Sequence, residues 1–153
     1  MSFVIRKAKI KDVPIIVDIV NFYARQRLML PLSLNKVYDY LRDFSVVEED
    51  EEIVGCGALH IYWEDLAEIR SLAVREDKKG KGYGKKIVEF LLNEAKELEI
   101  KRVFALTYQV NFFKKLGFKE IDKKSLPQKI WRDCLDCPLF PNCDEVAVIK
   151  EVE

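Results

Sequence analysis

Three glycines, Gly80, Gly82 and Gly84, stand at alternate positions between a strand-like apolar segment and an apolar run with helical spacing. Because glycine has no Cβ, the backbone N–H groups around it can point into one concavity. A helix that begins here also directs its positive N-terminal end at that concavity. We therefore predict that this turn binds phosphate. An ordinary glycine-rich turn with solvated lysines is the alternative interpretation.

The spacing of this turn excludes two well-known phosphate-binding loops. A Walker loop needs serine or threonine after its lysine, but Lys85 is followed by Lys86. The dinucleotide-binding pattern GxGxxG would need a glycine at Lys85 or at Ile87. The predicted phosphate site is therefore of a different kind.

Two charged residues precede the glycine turn on the same predicted strand. Side chains alternate between the two faces of a strand, so we expect Glu68, Arg70 and Leu72 to share one face. Glu68 and Arg70 then project together. The pair could take part in chemistry, or it could be a structural ion pair.

Three of the four cysteines lie close together as C-x2-C-x5-C, at Cys134, Cys137 and Cys143. The first two have the spacing with which a pair of thiolates binds one metal ion. A structural zinc site needs a fourth ligand, for which the candidates are Cys56, His60, Asp144 and a cysteine of a second subunit in a homodimer. Structural zinc, a disulfide and free thiols are the alternatives for these cysteines, and zinc would have no part in catalysis.

Composition limits the kind of protein. The 153 residues are enough for a single domain, 1–153, and 49% of them are hydrophobic. Equal numbers of basic and acidic residues, 26 each, argue against nucleic acid as a general partner. No apolar run in the sequence reaches the length of a membrane span, and residues 1–6 read as a strand and not as a signal peptide. We therefore expect a cytoplasmic protein.

Periodicity and turn residues predict the first elements of the chain. Residues 3–8 form a strand, and a helix begins after Asp12 as its N-cap. A loop follows at residues 25–31, and Ser33 caps a second helix. The residues of the first helix expected in the core are Val13, Ile16, Val17, Val20 and Ala24.

The second part of the chain reads as alternating strands and helices. Residues 44–48 and 53–59 form a β-hairpin, and a third strand ends at Val74. A helix follows the glycine turn, with an apolar stripe at Ile87, Leu91, Ala95 and Leu98. The remaining elements are a strand at residues 101–107, a short helix that stops at Gly117, and a last strand at residues 146–149. This order predicts an α+β protein with a mixed sheet.

The order of elements and the glycine turn resemble the GNAT superfamily of acetyltransferases. The likeness is closer to the acetyltransferase domain of amino-acid N-acetyltransferases of the N-acetylglutamate synthase type. The loop Arg/Gln-x-x-Gly-x-Gly/Ala of this family falls on residues 79–84, with Lys79 where arginine or glutamine is usual. Further similar segments, which extend the likeness over nearly the whole chain, are residues 55–59, 66–74, 104–107 and 112–118. The resemblance implies the GNAT fold, in which helices flank a mixed central β-sheet.

Acetyl-CoA is the cosubstrate that the resemblance implies. In this family its pantetheine arm lies along the strand that matches residues 72–74, and its pyrophosphate lies in the loop that matches residues 80–85. The physical interpretation agrees, because an amide-bearing arm needs an open strand edge and a pyrophosphate needs N–H groups at a helix N-terminus. The residues expected to bind the cofactor are Leu72, Ala73, Val74, Lys79, Gly80, Lys81, Gly82, Tyr83, Gly84 and Lys85.

For catalysis the resemblance points to Glu68, which matches a glutamate that serves as the base in some relatives. Many relatives have a tyrosine, thought to protonate the leaving thiolate, where this chain has Phe113. Tyr108, beside the end of a strand, is our candidate for this acid, and a plain packing tyrosine is the alternative.

The expected acceptor is the amino group of a small amino acid, with L-glutamate first, as in arginine biosynthesis. Arg25, Arg27 and Arg70 are the candidates to hold its carboxylate. Glutamate synthases often carry an arginine just after the strand that matches residues 101–107, and this chain has none at residues 108–111. A polyamine, an aminoglycoside or a protein N-terminus is therefore an alternative acceptor. A non-catalytic acyl-CoA sensor is an alternative from another class.

Overall fold

The structure, a computed structural model that describes residues 2–126 and 145–152, is a mixed β-sheet flanked by helices. The strands are β1 (Phe3–Lys7), β2 (Phe44–Glu49), β3 (Glu52–Trp63), β4 (Leu66–Val74), β5 (Arg102–Thr107), β6 (Lys119–Ile121) and β7 (Val146–Glu151). The helices are α1 (Val13–Ala24), α2 (Leu34–Asp39), α3 (Tyr83–Glu97) and α4 (Val110–Lys115). The predicted α+β class is confirmed. Strand β6, which has three residues and is mostly charged, was not predicted.

The seven strands form one sheet in the order β1-β2-β3-β4-β5-β7-β6. Neighbours are antiparallel except for β4 and β5, which are parallel. Pairing between β4 and β5 covers residues 66–68 and 102–104. From there β4 continues to Val74 with β3 as its partner, while β5 continues to Thr107 with β7. The facing edges of β4 and β5 are therefore open toward their carboxyl ends.

A bulge at Ser71 changes the face of the sheet on which the following side chains of β4 lie. Ser71 has a φ of 55°, and the register with β3 shifts at this point. Ile69 before the bulge and Leu72 after it both pack in the apolar cluster that contains α3. The prediction that Leu72 shares a face with Glu68 and Arg70 is therefore wrong, because one extra residue in a strand inverts the alternation that follows.

Apolar helix faces cover both sides of the sheet. Helix α3 packs on one side through Ile87, Val88, Leu91 and Ala95, as its sequence pattern predicts. Leu98 is 51% exposed, because α3 ends at Glu97 and Leu98 is its C-cap. Helix α1 packs on the other side through Val13, Ile16, Ile19, Val20 and Tyr23. The predicted core residues Val17 and Ala24 lie at the margin of that buried stripe and are partly buried.

Of the two predicted helix caps, the one at Ser33 makes the expected hydrogen bond and the one at Asp12 does not. The Ser33 hydroxyl accepts a hydrogen bond from the Lys36 N–H at 3.1 Å, as expected for the N-cap of α2. Asp12 occupies the N-cap position of α1 but makes no side-chain cap bond there. Its carboxylate accepts hydrogen bonds from Arg6 at 2.7 Å and from the backbone N–H of Lys9 at 2.8 Å.

Among the described residues no helix is long and apolar enough to cross a membrane.

Candidate active site

The divergence of β4 and β5 opens a cleft of about 590 Å³. Its walls include residues 68–74 of β4 on one side and residues 105–109, at and beyond the end of β5, on the other. Residues 28–32, after α1, close one margin. Part of the loop predicted at residues 25–31 therefore lines the cleft.

The glycine turn lies at one end of this cleft. Gly80 and Gly82 have φ angles of 85° and 84°, and Gly82 is the N-cap of α3. The Lys86 N–H donates to the Gly82 carbonyl at 3.1 Å, so the three preceding amides have no acceptor within the helix. A Cβ added at Gly80 or Gly82 would meet no atom within 4 Å. The predicted strand, turn and helix start are therefore present, with open space at the two glycines.

Gly84 contributes to this turn in a different way. It lies in the first turn of α3, and a Cβ there would come 3.4 Å from Cζ of Phe112. A Cβ at Gly84 would be in van der Waals contact with the aromatic ring of α4, whereas Gly80 and Gly82 supply the left-handed backbone of the turn.

The lysines around the turn do not all face the cleft. Lys79 and Lys85 are among the residues that line it, and the Lys79 ammonium lies 4.7 Å from the ring centroid of Tyr23. Lys81 is not among the lining residues, and its Nζ lies 3.8 Å from Oε2 of Glu49. The predicted role of Lys81 in phosphate binding remains a prediction, and the side chain points toward a carboxylate in this structure.

Glu49 is a buried carboxylate behind the turn that the sequence did not single out. It accepts hydrogen bonds from the Lys78 ammonium at 2.7 Å and from the Tyr83 hydroxyl. These bonds lower the pKa of the Glu49 carboxyl to about 2, and the bond to Glu49 raises the pKa of the Tyr83 phenol to about 12. No sequence pattern connects the end of β2 with residues 78–83, because they meet only in the folded chain.

Tyr23 links α1 to the end of β4 through a hydrogen bond. Its hydroxyl donates to the Val74 carbonyl at 2.5 Å, and its ring lies under the Lys79 ammonium. Sequence reasoning missed Tyr23, because the predicted core face of the helix was continued from Val20 to Ala24 and did not include it. Leu72, Ala73 and Val74 all line the cleft, as expected for the strand that would hold the pantetheine arm.

Glu68 and Arg70 meet through a third residue, Tyr62. The Tyr62 hydroxyl donates to Glu68 Oε1 at 3.1 Å and accepts from Arg70 Nη1 at 3.3 Å. The direct distance between Arg70 Nη1 and Glu68 Oε1 is 3.9 Å. Glu68 is 8% exposed, and both charged residues line the cleft. The prediction that Glu68 and Arg70 project together is confirmed, with Tyr62 as the bridge.

Tyr62 lies beyond the strand predicted at residues 53–59, and its contact with Glu68 is formed across the folded hairpin. His60 of β3 is the partner of Glu68, and Tyr62 lies two residues further along the same face. Asp43 Oδ2 accepts a hydrogen bond from His60 Nδ1 at 2.7 Å, and the His60 ring packs edge-to-face on Tyr62. His60 is thus hydrogen-bonded to Asp43 and is not among the residues that line the cleft.

Tyr108 and Phe113 lie on the opposite wall of the cleft. Tyr108 directly follows β5 and is partly buried. Phe113 of α4 is 3% exposed and packs edge-to-face on Phe118 and Phe112. Of the two, Tyr108 alone carries a proton that it could donate.

The three predicted carboxylate-binding arginines are not brought together. Arg70 lines the cleft, whereas Arg25 and Arg27 are exposed and are not among the lining residues. Arg27 has a φ of 61° at the turn that ends α1. Among these three, Arg70 is thus placed to meet a ligand in the cleft.

The three cysteines predicted to bind a metal ion, Cys134, Cys137 and Cys143, lie outside the described residues. Cys56 is buried in the cluster under α1, and its Sγ lies 3.5 Å from the Ser71 carbonyl. Burial raises the pKa of the Cys56 thiol to about 12. Within residues 2–126 and 145–152, no group of three or more His, Cys, Asp or Glu residues could hold a metal ion.

Comparison with known proteins gives a consistent set of relatives. Residues 17–118 match the model of the acetyltransferase (GNAT) family. The chain is 42% identical over 146 residues to the uncharacterized N-acetyltransferase CT2212 of Chlorobaculum tepidum. The match covers 95% of this chain and 94% of the relative. The chain is also 42% identical over 122 residues to the amino-acid acetyltransferase of Mycobacterium tuberculosis, with 78% of this chain and 70% of that protein covered.

Two solved structures have similar folds. The Rv2747 protein of M. tuberculosis, in complex with CoA and the ligand NLQ, matches with a TM-score of 0.86 and 34% identity over 98% of this chain and 99% of its own. The N-acetylglutamate synthase of Neisseria gonorrhoeae, complexed with coenzyme A and N-acetyl-glutamate, matches with a TM-score of 0.91 and 24% identity. That match covers all of this chain and 36% of the gonococcal chain, and at this identity it supports the fold alone.

Proposed function

The chain belongs to the GNAT acetyltransferase family and is an N-acetyltransferase, and we propose that it transfers the acetyl group of acetyl-CoA to the amino group of a small amino acid. L-Glutamate is the first acceptor to test, which would assign the reaction to arginine biosynthesis. The observation that carries this proposal is the open cleft between β4 and β5, with the glycine turn at its end and Glu68 and Arg70 on its wall. The amino-acid acetyltransferase of M. tuberculosis, 42% identical, supports the acceptor class.

The cleft fits acetyl-CoA in two respects. The edge of β4 that faces β5 is open at residues 69–74, so amide groups of a pantetheine arm can bond along it. The amides at the start of α3 face a turn in which Gly80 and Gly82 leave open space, and this suits a pyrophosphate. In this proposal Leu72, Ala73 and Val74 hold the arm, and residues 79–85 hold the phosphates.

Glu68 is the proposed general base that takes the proton of the acceptor ammonium. The Tyr62 hydroxyl donates to its Oε1, which holds the carboxylate in one orientation at the wall of the cleft. Arg70 donates to the same hydroxyl, so Tyr62 connects Arg70 with Glu68. The free amine can then attack the thioester directly, without a covalent enzyme intermediate.

Tyr108 is the proposed acid for the leaving thiolate, since Phe113 carries no proton to give. Tyr108 lines the cleft on the wall opposite Glu68. The variant Tyr108→Phe is expected to lower kcat about tenfold or more and to leave KM for acetyl-CoA within about twofold, as for loss of an acid group. An unchanged kcat would reduce Tyr108 to a packing residue.

Replacing Arg70 by alanine should raise KM for glutamate by about ten- to 100-fold, because a charged hydrogen bond contributes about 1.5–3 kcal/mol. Arg25→Ala and Arg27→Ala are matched controls, because both side chains are exposed and are not among the residues that line the cleft. Steady-state kinetics with glutamate as the varied substrate measure the effect. If all three variants keep the wild-type KM, the idea of an arginine that binds a substrate carboxylate fails.

The acceptor is tested by measuring CoA release from acetyl-CoA with a panel of amino acids, polyamines, aminoglycosides and peptides. We expect turnover with an amino acid and kcat/KM at least about tenfold higher for glutamate than for the polyamines. Faster turnover with a polyamine, an aminoglycoside or a peptide would replace the amino-acid proposal. CoA binding without release on any acceptor of the panel would favour the acyl-CoA sensor.

A further inference from the structure

Glu49 contacts the glycine turn from outside the cleft. It is the last residue of β2, is 3% exposed and is not among the cleft-lining residues. Its carboxylate accepts hydrogen bonds from Lys78 Nζ at 2.7 Å and from the Tyr83 hydroxyl, and Lys81 Nζ lies at 3.8 Å. A charged group is rarely buried to this extent unless it is paired, and here three partners surround it.

Two of these partners, Lys78 and Tyr83, lie on either side of the two left-handed glycines, and Lys81 lies between the glycines. Lys78 precedes Gly80, and Tyr83 follows Gly82 as the first residue of α3. One carboxylate therefore connects the beginning and the end of the segment 78–83. Gly80 and Gly82 are the residues that lose the most backbone freedom when such a turn is ordered. A bond that links the two ends reduces the number of conformations open to the turn before any ligand arrives.

The charge of Glu49 is opposite to what a direct phosphate-binding group requires. A carboxylate near a pyrophosphate repels it, and Glu49 lowers the attraction that Lys78 and Lys81 would otherwise exert. A contribution of Glu49 to cofactor binding must therefore come from the geometry of the turn, because its electrostatic effect acts in the other direction.

We propose that Glu49 is a positioning residue that holds the glycine turn in the conformation that binds the pyrophosphate of CoA, through its bonds to Lys78 and Tyr83. This inference rests on the proposed use of acetyl-CoA. Glu49 touches neither the reacting atoms nor the acceptor in this scheme, so its loss affects the phosphate-bearing part of the cofactor and leaves the acetyl-transfer step unchanged.

The test compares two acetyl donors that differ in the pyrophosphate. Acetyl-CoA carries it, and acetyl-pantetheine presents the same arm and thioester without it. For Glu49→Gln we expect KM for acetyl-CoA to rise at least about tenfold, kcat to stay within about twofold, and kcat/KM for acetyl-pantetheine to stay at the wild-type value. A general loss of structure would lower the rates with both donors and would overturn the proposal.

Two further variants separate geometry from charge. Tyr83→Phe removes one bond to Glu49 without changing any charge, and we expect it to raise KM for acetyl-CoA in the same direction. Glu52→Gln is the matched control: Glu52 pairs with Glu49 in the hairpin register but is exposed and bonds to Arg75. It should leave both donors unaffected. Tighter binding of acetyl-CoA by Glu49→Gln would overturn the proposal, because it would mean that the charge of Glu49 outweighs its effect on geometry.

The same experiment distinguishes failure of this inference from failure of the proposed function. If the wild-type protein binds CoA but acetylates no acceptor, the amino-acid proposal fails, and the dissociation constants of CoA from calorimetry replace KM in the comparison. If the wild-type protein shows the same kcat/KM with both donors, the pyrophosphate is not bound, and the proposal for Glu49 fails with the assignment of the turn.

Discussion

Replacing Gly82 by valine is expected to lower the affinity for CoA at least about 100-fold, which corresponds to about 2.8 kcal/mol. Gly82 is the N-cap of α3 with a φ of 84°, a conformation that a β-branched residue strongly disfavours. Valine would drive the backbone toward negative φ and so turn the first amides of α3 away from the turn. Isothermal titration of CoA into the purified variant measures the loss.

Gly117→Val is the matched control for this prediction. Gly117 also has a positive φ, 95°, but it lies in the turn between α4 and β6 and is not among the residues that line the cleft. A Cβ there would meet the flexible end of Lys150, which can move. We expect this variant to lose thermal stability and to keep the dissociation constant of CoA within about twofold. Wild-type affinity in a folded Gly82→Val protein would show that the glycine turn does not bind the cofactor.

Gly84→Val should also weaken CoA binding, by a different mechanism. Gly84 lies within α3, and its Cβ would come 3.4 Å from the ring of Phe112, so the branches of valine would displace that ring. Titration of CoA into this variant measures the loss of affinity. Gly84 is not a left-handed residue, so this loss would come from altered packing and not from backbone strain. An affinity equal to that of the wild type would mean that Phe112 moves without disturbing the turn.

Replacing Glu68 by glutamine is expected to lower kcat at least about 100-fold, the lower end of what general base catalysis contributes. Glutamine has the same shape and can still accept the hydrogen bond of the Tyr62 hydroxyl, so the fold and KM for acetyl-CoA should be retained. The group that accepts the proton of the acceptor ammonium is lost. The rise of kcat on the acidic side of the pH profile should therefore disappear, because that rise reports deprotonation of the base.

The control is Glu120→Gln on β6, whose exposed side chain lies 3.6 Å from Lys114 and takes no part in the cleft. It should keep the wild-type kcat and pH profile. Steady-state rates of both variants between about pH 5 and 9, with saturating acetyl-CoA, make the comparison. A Glu68→Gln enzyme with an unaltered profile would assign Glu68 to a structural pair with Arg70, the alternative that its sequence position left open.

Local patterns in the sequence were sufficient for most of the elements. The apolar stripe of α3 depends on helical spacing, and the stop at Gly117 depends on a left-handed residue, which the structure has with a φ of 95°. The strand, glycine turn and helix start around residues 68–88 were equally predictable, because all their parts are adjacent in the chain. The pairing of Glu68 with Arg70 followed from strand alternation over two residues.

Tertiary structure decided the features that join distant segments or interrupt a regular pattern. The bulge at Ser71 moves Leu72 to the other face of β4, and this depends on how β4 pairs with β3. Tyr62 reaches Glu68 across the hairpin, Tyr23 of α1 bonds to Val74, and Glu49 of β2 reaches Tyr83 of α3. Periodicity reports which face of its own element a residue occupies. It contains no information on which other element will lie opposite, and these contacts are formed only when the sheet and its helices pack together.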